Sequence, residues 1–222
     1  MTLGLVLAER TDARQSPTSP RGHAVLAGLA DAVDGDTLLV GDVRVRLEGI
    51  DAPVAEQTCT TVRGSEWPCG LEARRLLARL VEGQSVACEE RGLDTYKRLL
   101  AVCRTSQTEL NAEMVRRGLA WAFVRYSQSY VAIEAIARTR RIGIWSGVAQ
   151  PAWEYRSARW QSAETIAPSG CPIKGNVTAN GRIYHLPWSP WYGRVKMDGK
   201  GKRWFCSEAE AIAAGWRPAN AH

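Results

Sequence analysis

Asp36 and Asp51 stand near the two ends of one short stretch, VDGDTLLVGDVRVRLEGIDAP over residues 33–53, with Arg46 between them. Carboxylates offer hard oxygen ligands, the donors that a Ca2+ ion takes. A planar guanidinium beside them holds two phosphate oxygens at once, which a lysine cannot do. A cation and an arginine together neutralise the charge that builds on phosphorus oxygens, so the chemistry these residue types fit is phosphodiester cleavage. Directly after Pro53 comes Val54, a side chain that neither takes a proton nor orients water.

For the aspartates to meet Arg46, the chain must fold back. Residues 37–40 and 43–50 alternate apolar and polar around Gly41-Asp42, the pattern of a hairpin with a tight two-residue turn. Val43, Val45 and Leu47 then face a core, and Arg46 and Glu48 the other side. Strict alternation sets Thr37, not Asp36, opposite Arg46. A bend or bulge at Gly35-Asp36 is therefore needed to bring the first carboxylate in.

The remaining elements follow from spacing. Residues 70–82 are helical, with Leu76, Leu77, Leu80 and Val81 on the apolar face and Gly83 as the stop. Residues 85–90 and 98–104 form a second hairpin that sets Cys88 near Cys103. Residues 111–118 and 129–142 are helical, and 143–147 close the domain at Trp145. Strands first, then interspersed helices without βαβ alternation, predict an α+β, mostly β fold, a small antiparallel barrel carrying helices, over residues 25–150. Residues 1–24 read as a disordered arm. Residues 151–169 read as a linker bounded by Pro151 and Pro168, with Trp153, Tyr155 and Trp160 able to pack back on the barrel. Residues 170–222 form a small basic module, a hairpin of 182–185 with 195–197 or 203–206 and a helix over 207–214. Ser207 and Glu210 make a capping box for that helix, and Gly215 stops it.

With 222 residues, 45% hydrophobic and 23% charged, the chain holds one good core plus an appendage. No apolar run reaches the roughly 18 residues that cross a bilayer. Most of the net charge of +6 sits in the tail. Through Ala167 there are 21 Lys+Arg against 20 Asp+Glu, and from Pro168 onward 8 against 3. A basic surface attracts nucleic acid or another polyanion. Trp188, Trp191, Tyr192 and Trp204 lie among Arg182, Arg194, Lys196, Lys200, Lys202 and Arg203. Such interleaving stacks bases and holds a backbone; on the plainer reading it is the core of a tiny module.

Six cysteines fall into three local sets, Cys59 with Cys69, Cys88 with Cys103, and Cys171 with Cys206. Even number and paired spacing favour disulfides and an oxidising compartment. Reduced buried thiols are one alternative. A zinc site of Cys171, Cys206 and His185 is another, though no CxxC pair supports it. The N-terminus points away from export, because the apolar run 3–8 is short and no Lys or Arg precedes it.

With DGDT, RLEGIDAP and DTYKRLLAVC in order, supported by EWPCG, LNAEMVRRGLAWA and ARTRRIGIWSG, residues 25–145 resemble the staphylococcal-nuclease-like (thermonuclease) family. The resemblance implies a five-stranded OB-fold barrel with three helices, and Ca2+-dependent hydrolysis of phosphodiesters in DNA and RNA. It implies that Asp36 and Asp51 are the calcium carboxylates and that Ala52 lends the ion its backbone carbonyl. It makes Arg46 and Arg98 the phosphate-binding arginines and Tyr96 and Tyr126 the aromatics lining the nucleotide site. The family's water-positioning glutamate directly follows the proline of DAPE, and here that position is Val54. Glu56, in a loop able to fold back, is the first candidate to replace it. Glu48, on the strand face of Arg46, is the second.

The expectation is a bacterial nuclease, periplasmic or secreted and monomeric, that takes one Ca2+ and cleaves single-stranded DNA or RNA weakly. The alternative is an inactive binder of nucleic acid or acidic polysaccharide in the cell envelope. The tail pattern IYHLP…WFCSEAEA…AGWRP resembles an appendage of some bacterial thermonuclease-like proteins.

Overall fold

The computed structural model describes residues 24–94 and 98–219. Strand β1 (Val25–Asp34) leads into β2 (Thr37–Val40) and, across the Gly41-Asp42 turn, into β3 (Val43–Leu47). Gly41 takes the left-handed conformation (φ 58°) that such a turn demands. Helix α1 (Cys69–Val81) follows, then a long hairpin of β4 (Ser85–Leu93) and β5 (Leu99–Arg104). The five strands close into a barrel in the order β1-β2-β3-β5-β4. One seam departs from the antiparallel pattern read from the sequence: β3 and β5 run parallel, with Arg46 beside Leu100. The excursion through α1 and β4 returns the chain alongside β3 in the same direction.

The apolar positions of β2 and β3 fill the barrel. Leu38, Val40, Val45 and Leu47 are buried with Leu76, Leu77 and Val81 of α1. Val43, expected in the core, is 41% exposed because it borders the turn. Helices α2 (Leu110–Arg116) and α3 (Val131–Thr139) pack together, with α2 against β5. The buried amide of Asn111 joins the strands. It donates to the carbonyls of Glu48 and Ala101 and accepts from the Cys103 N–H, so none of these buried groups is left unpaired.

The segment read as a linker is instead helix α4 (Ala152–Glu164). Pro151 precedes its first turn, and Ala, Glu, Arg and Gln favour its interior. The first of its three aromatic side chains also has somewhere to go. Trp153 stacks on Phe123 (centroids 5.6 Å apart, planes at 14°) and meets Trp121 edge-on at 6.0 Å. This cluster also holds the Cys59–Cys69 pair and Ile144.

Beyond α4 lies a four-stranded sheet of order β8-β6-β7-β9, built from β6 (Ile173–Thr178), β7 (Gly181–His185), β8 (Lys202–Phe205) and β9 (Arg217–Pro218). The hairpin partner of β7 is β6, neither 195–197 nor 203–206. Gly181 (φ 101°) turns the chain straight back on β6, and β8 then pairs with the other edge of β6. Helix α5 (Glu208–Ala213) is capped as expected: Ser207 Oγ accepts from the Glu210 N–H, and the Glu210 carboxylate accepts from the Cys206 N–H. Ile173, Tyr184, Phe205, Ala211 and Trp216 form the small core.

The cysteines pair as their spacing indicates, Cys59–Cys69, Cys88–Cys103 and Cys171–Cys206. The last bond removes the zinc alternative, since both sulfurs are used. Non-reducing peptide mapping is expected to recover these three links with no alkylatable thiol; other linkages would overturn the pairing. Among the described residues no helix is long and apolar enough to cross a membrane. The arm expected at residues 1–24 lies, Ala24 apart, outside the described residues.

Candidate active site

The Asp-Gly-Asp turn is where the barrel bends to gather its carboxylates. The β1–β2 ladder shifts register between Ala32 and Asp34, which lifts Asp36 off regular pairing. Thr37 pairs opposite Arg46, as strict alternation requires. A Cβ at Gly35 would lie 2.7 Å from the Ala73 Cβ and 2.8 Å from the Ala52 Cβ, so only glycine lets the turn settle between α1 and residue 52. Asp36 then accepts the Ala52 N–H on Oδ2 at 3.1 Å. Its Oδ1 accepts from Thr37 Oγ1 and Arg46 Nη1, both at 2.9 Å.

Arg46 bridges the two aspartates. Its other terminal nitrogen, Nη2, donates to Asp51 Oδ1 at 2.7 Å. Asp51 is fixed by the short antiparallel pairing of Ile50–Asp51 with Trp121–Ala122, and its side chain is 0% exposed. Its second oxygen, Oδ2, accepts from Arg156 Nη2 at 2.7 Å. Arg156 belongs to α4, 105 residues away, in the segment read as a linker, and the sequence carries no sign of this contact. Asp34 was also missed. It flanks Gly35 on the other side and lines the same cleft; the doubled aspartate of DGD was the available signal.

Three carboxylates therefore face two guanidinium groups. Burial, with the neighbouring Asp36 carboxylate, pushes Asp34 up to about 7. Burial likewise raises Asp51 against the pull of Arg156 and Arg46. Burial also opposes ionisation of Asp36, but Arg46 and the Ala52 N–H outweigh it and hold that carboxyl below its usual range. The same carboxylates keep Arg46 protonated above its ordinary value, despite its burial. Among the described residues no group of three or more His, Cys, Asp or Glu side chains is arranged to hold a metal ion, but the carboxylate oxygens of Asp36 and Asp51 are the hard donor type that a divalent cation takes.

The cleft around this cluster measures about 580 Å³. Asp36, Arg46, Arg98 and Tyr126 all line it, so the structure brings together these residues, with Asp51 hydrogen-bonded behind Arg46. Arg98 is oriented by Asp94, whose carboxylate accepts its Nε at 2.6 Å and its backbone N–H at 2.8 Å. Tyr126 is 66% exposed and rests on Phe123. Tyr96 lies outside the described residues.

The two glutamate candidates separate. Glu56 is exposed in a turn and is not among the residues lining the cleft. That turn directs Gln57 inward instead: its N–H donates to the Val54 carbonyl, and its side-chain amide donates to the Gln150 carbonyl. Glu48 does line the cleft, with burial raising its carboxyl. Val54 lines it too, only 4% exposed. Its backbone is pinned against Gly70, where a Cβ would lie 1.8 Å from the Val54 carbonyl oxygen.

From the turn after β7 in the C-terminal module, Trp188 reaches the cleft. The other aromatics pack on cations of their own module: Lys174 lies over Tyr192 at 4.3 Å and over Trp204 at 5.9 Å, and Arg194 over Trp191 at 4.8 Å. His185 is buried. Arg182, Lys196, Lys200 and Arg203 face solvent.

Residues 44–147 match the family described as staphylococcal nuclease homologue, and residues 153–218 match one described as ArfC. The chain is 36% identical over 144 residues to the micrococcal nuclease of Shigella flexneri, covering 57% of this chain and 77% of the relative. It is 33% identical over 120 residues to an uncharacterized endonuclease of Haemophilus influenzae, covering 51% of this chain and 62% of the relative. It is 32% identical over 129 residues to the succinoglycan biosynthesis protein ExoI of Rhizobium meliloti, covering 57% and 66%. The chain thus spans about three-fifths to three-quarters of the length of these relatives.

Proposed function

The chain belongs to the staphylococcal nuclease homologue family, and from that premise we propose that it hydrolyses phosphodiester bonds of single-stranded nucleic acid, aided by Ca2+. The observation that carries this reading is the bridge of Arg46 to Asp36 and Asp51, at 2.9 and 2.7 Å, inside a cleft that Arg98 also lines. Asp36, Asp51 and the Ala52 carbonyl would hold the ion, which supplies positive charge against the phosphate oxygens when bound.

The chain's own residues do the rest. Arg46 and Arg98 hold the non-bridging oxygens and stabilise the charge that gathers on them in the transition state. Tyr126 offers a ring face to the neighbouring base. Glu48 accepts the proton of the attacking water, and burial makes its carboxylate a stronger base. Val54 leaves this base in a second-best position, so turnover is slow. The three disulfides favour a compartment outside the reducing cytoplasm.

Val54 also favours a second reading, a binder of nucleic acid that does not cleave. Incubating the full chain with a labelled single-stranded oligonucleotide, with Ca2+ or with a calcium chelator, separates the two. Slow cleavage is expected, lost on chelation and in Glu48→Gln but kept in Glu56→Ala. Retention of the intact oligonucleotide with no cleavage under any condition would instead establish the binder.

A further inference from the structure

Arg156 enters the cluster from α4, the helix that follows the barrel and its packed helices. It donates to Asp51 Oδ2 at 2.7 Å, while Arg46 holds Oδ1. It is no loosely tethered side chain. Trp153 lies three residues earlier, on the same face of α4, and is wedged between Phe123 and Trp121. The helix is thereby anchored on the barrel with its arginine aimed at the carboxylate. The Arg156 side chain is 22% exposed and the Asp51 side chain 0%, so the guanidinium lies on the solvent side of its partner.

A cation approaching Asp51 must use oxygens that already accept from two guanidinium groups. It must also come close to a second positive charge, which repels it. Of the two arginines, Arg46 is shared with Asp36 and belongs to the barrel wall, whereas among the described residues Arg156 forms an ion pair with Asp51 alone.

We propose that Arg156 is a built-in rival of the divalent cation for Asp51, so that the helix following the barrel sets how readily the site loads. This rests on the reading of Asp36 and Asp51 as cation ligands. The consequence is a site that fills only where divalent cation is plentiful. The contact is a charge-assisted hydrogen bond to a buried carboxylate, and relieving the competition tightens cation binding by roughly ten- to a hundredfold.

Calorimetric titration of the full chain with Ca2+, in the absence of any nucleic acid, tests it. Arg156→Ala and Arg156→Gln are both expected to bind Ca2+ roughly ten- to a hundredfold more tightly than the natural chain, and to show a larger calcium-induced rise in melting temperature. Arg156→Gln keeps a donor for Asp51 while removing the charge, and it decides the matter where Arg156→Ala is too unstable to titrate. Equal or weaker binding by a folded Arg156→Gln overturns the proposal, since the arginine would then only position Asp51. So does the absence of Ca2+ binding in all three proteins. Cleavage by the natural chain is read in a separate assay, so nuclease activity stands or falls independently.

Discussion

Val54→Glu is expected to raise the rate of calcium-dependent cleavage of single-stranded DNA by roughly 10²–10⁴, the contribution of a well-placed general base. Residue 54 lines the cleft alongside Asp36 and Arg46. Its backbone cannot drift, because the Val54 N–H donates to the Gln57 side-chain carbonyl and the Gln57 N–H returns a bond to the Val54 carbonyl. A carboxylate grafted there would be presented from a rigid support. The replacement buries polar atoms, so a stability loss of about 1–3 kcal/mol accompanies the gain. Val54→Gln, which has similar size and no basic oxygen, controls for shape and is expected to show no acceleration. Initial rates measured on the same oligonucleotide decide it: if Val54→Glu cleaves no faster than the natural chain, residue 54 is not where the missing base belongs.

Arg46→Ala is expected to lower stability by about 3–5 kcal/mol, the loss found when one member of a buried ion pair is removed. Asp36 and Asp51 would lose the charge they share, and two buried carboxylates would face one another. Retention of single-stranded DNA in a filter assay should fall sharply as well, because the same guanidinium is the proposed phosphate ligand. Arg46→Lys rescues little, since one ammonium cannot span both carboxylates. Added Ca2+ should recover part of the lost stability in Arg46→Ala by supplying the missing positive charge. Urea unfolding with and without calcium measures both effects. A loss below about 1 kcal/mol, the scale of an exposed pair, would show that Arg46 is not central to the cluster.

The barrel was legible because its signals are local. Alternation on both sides of Gly41-Asp42 placed β2 and β3, and the helical spacing of Leu76, Leu77 and Val81 placed α1. The need for a bend before Thr37 was legible too, since a period-two ladder cannot set Asp36 opposite Arg46, and the register shift after Ala32 supplies it. What stayed hidden depends on distance or on competition between partners. Pro151 and Pro168 read as linker punctuation, yet Trp153 finds Phe123 and Trp121 and stabilises a helix between them. Arg156 carries no local mark of its partner, because its contact spans 105 residues. Glu56 looked able to fold back, but the inward turn of Gln57 sends it to solvent. In the tail, the partner of β7 was misread because β6 is polar at Lys174, Asn176 and Thr178, a pattern weaker than that of the aromatic strand β8.

The anchoring of α4 by Trp153 changes where this molecule can be cut. Residues 24–147 contain every barrel strand, and a fragment ending there looks whole by topology. Such a fragment would nonetheless lack the guanidinium that holds Asp51 Oδ2, and a proline-flanked helix some five residues past that border carries it. Excision at the apparent border therefore leaves a buried carboxylate short of one of its two positive partners, a different chemical object rather than a smaller copy of the parent.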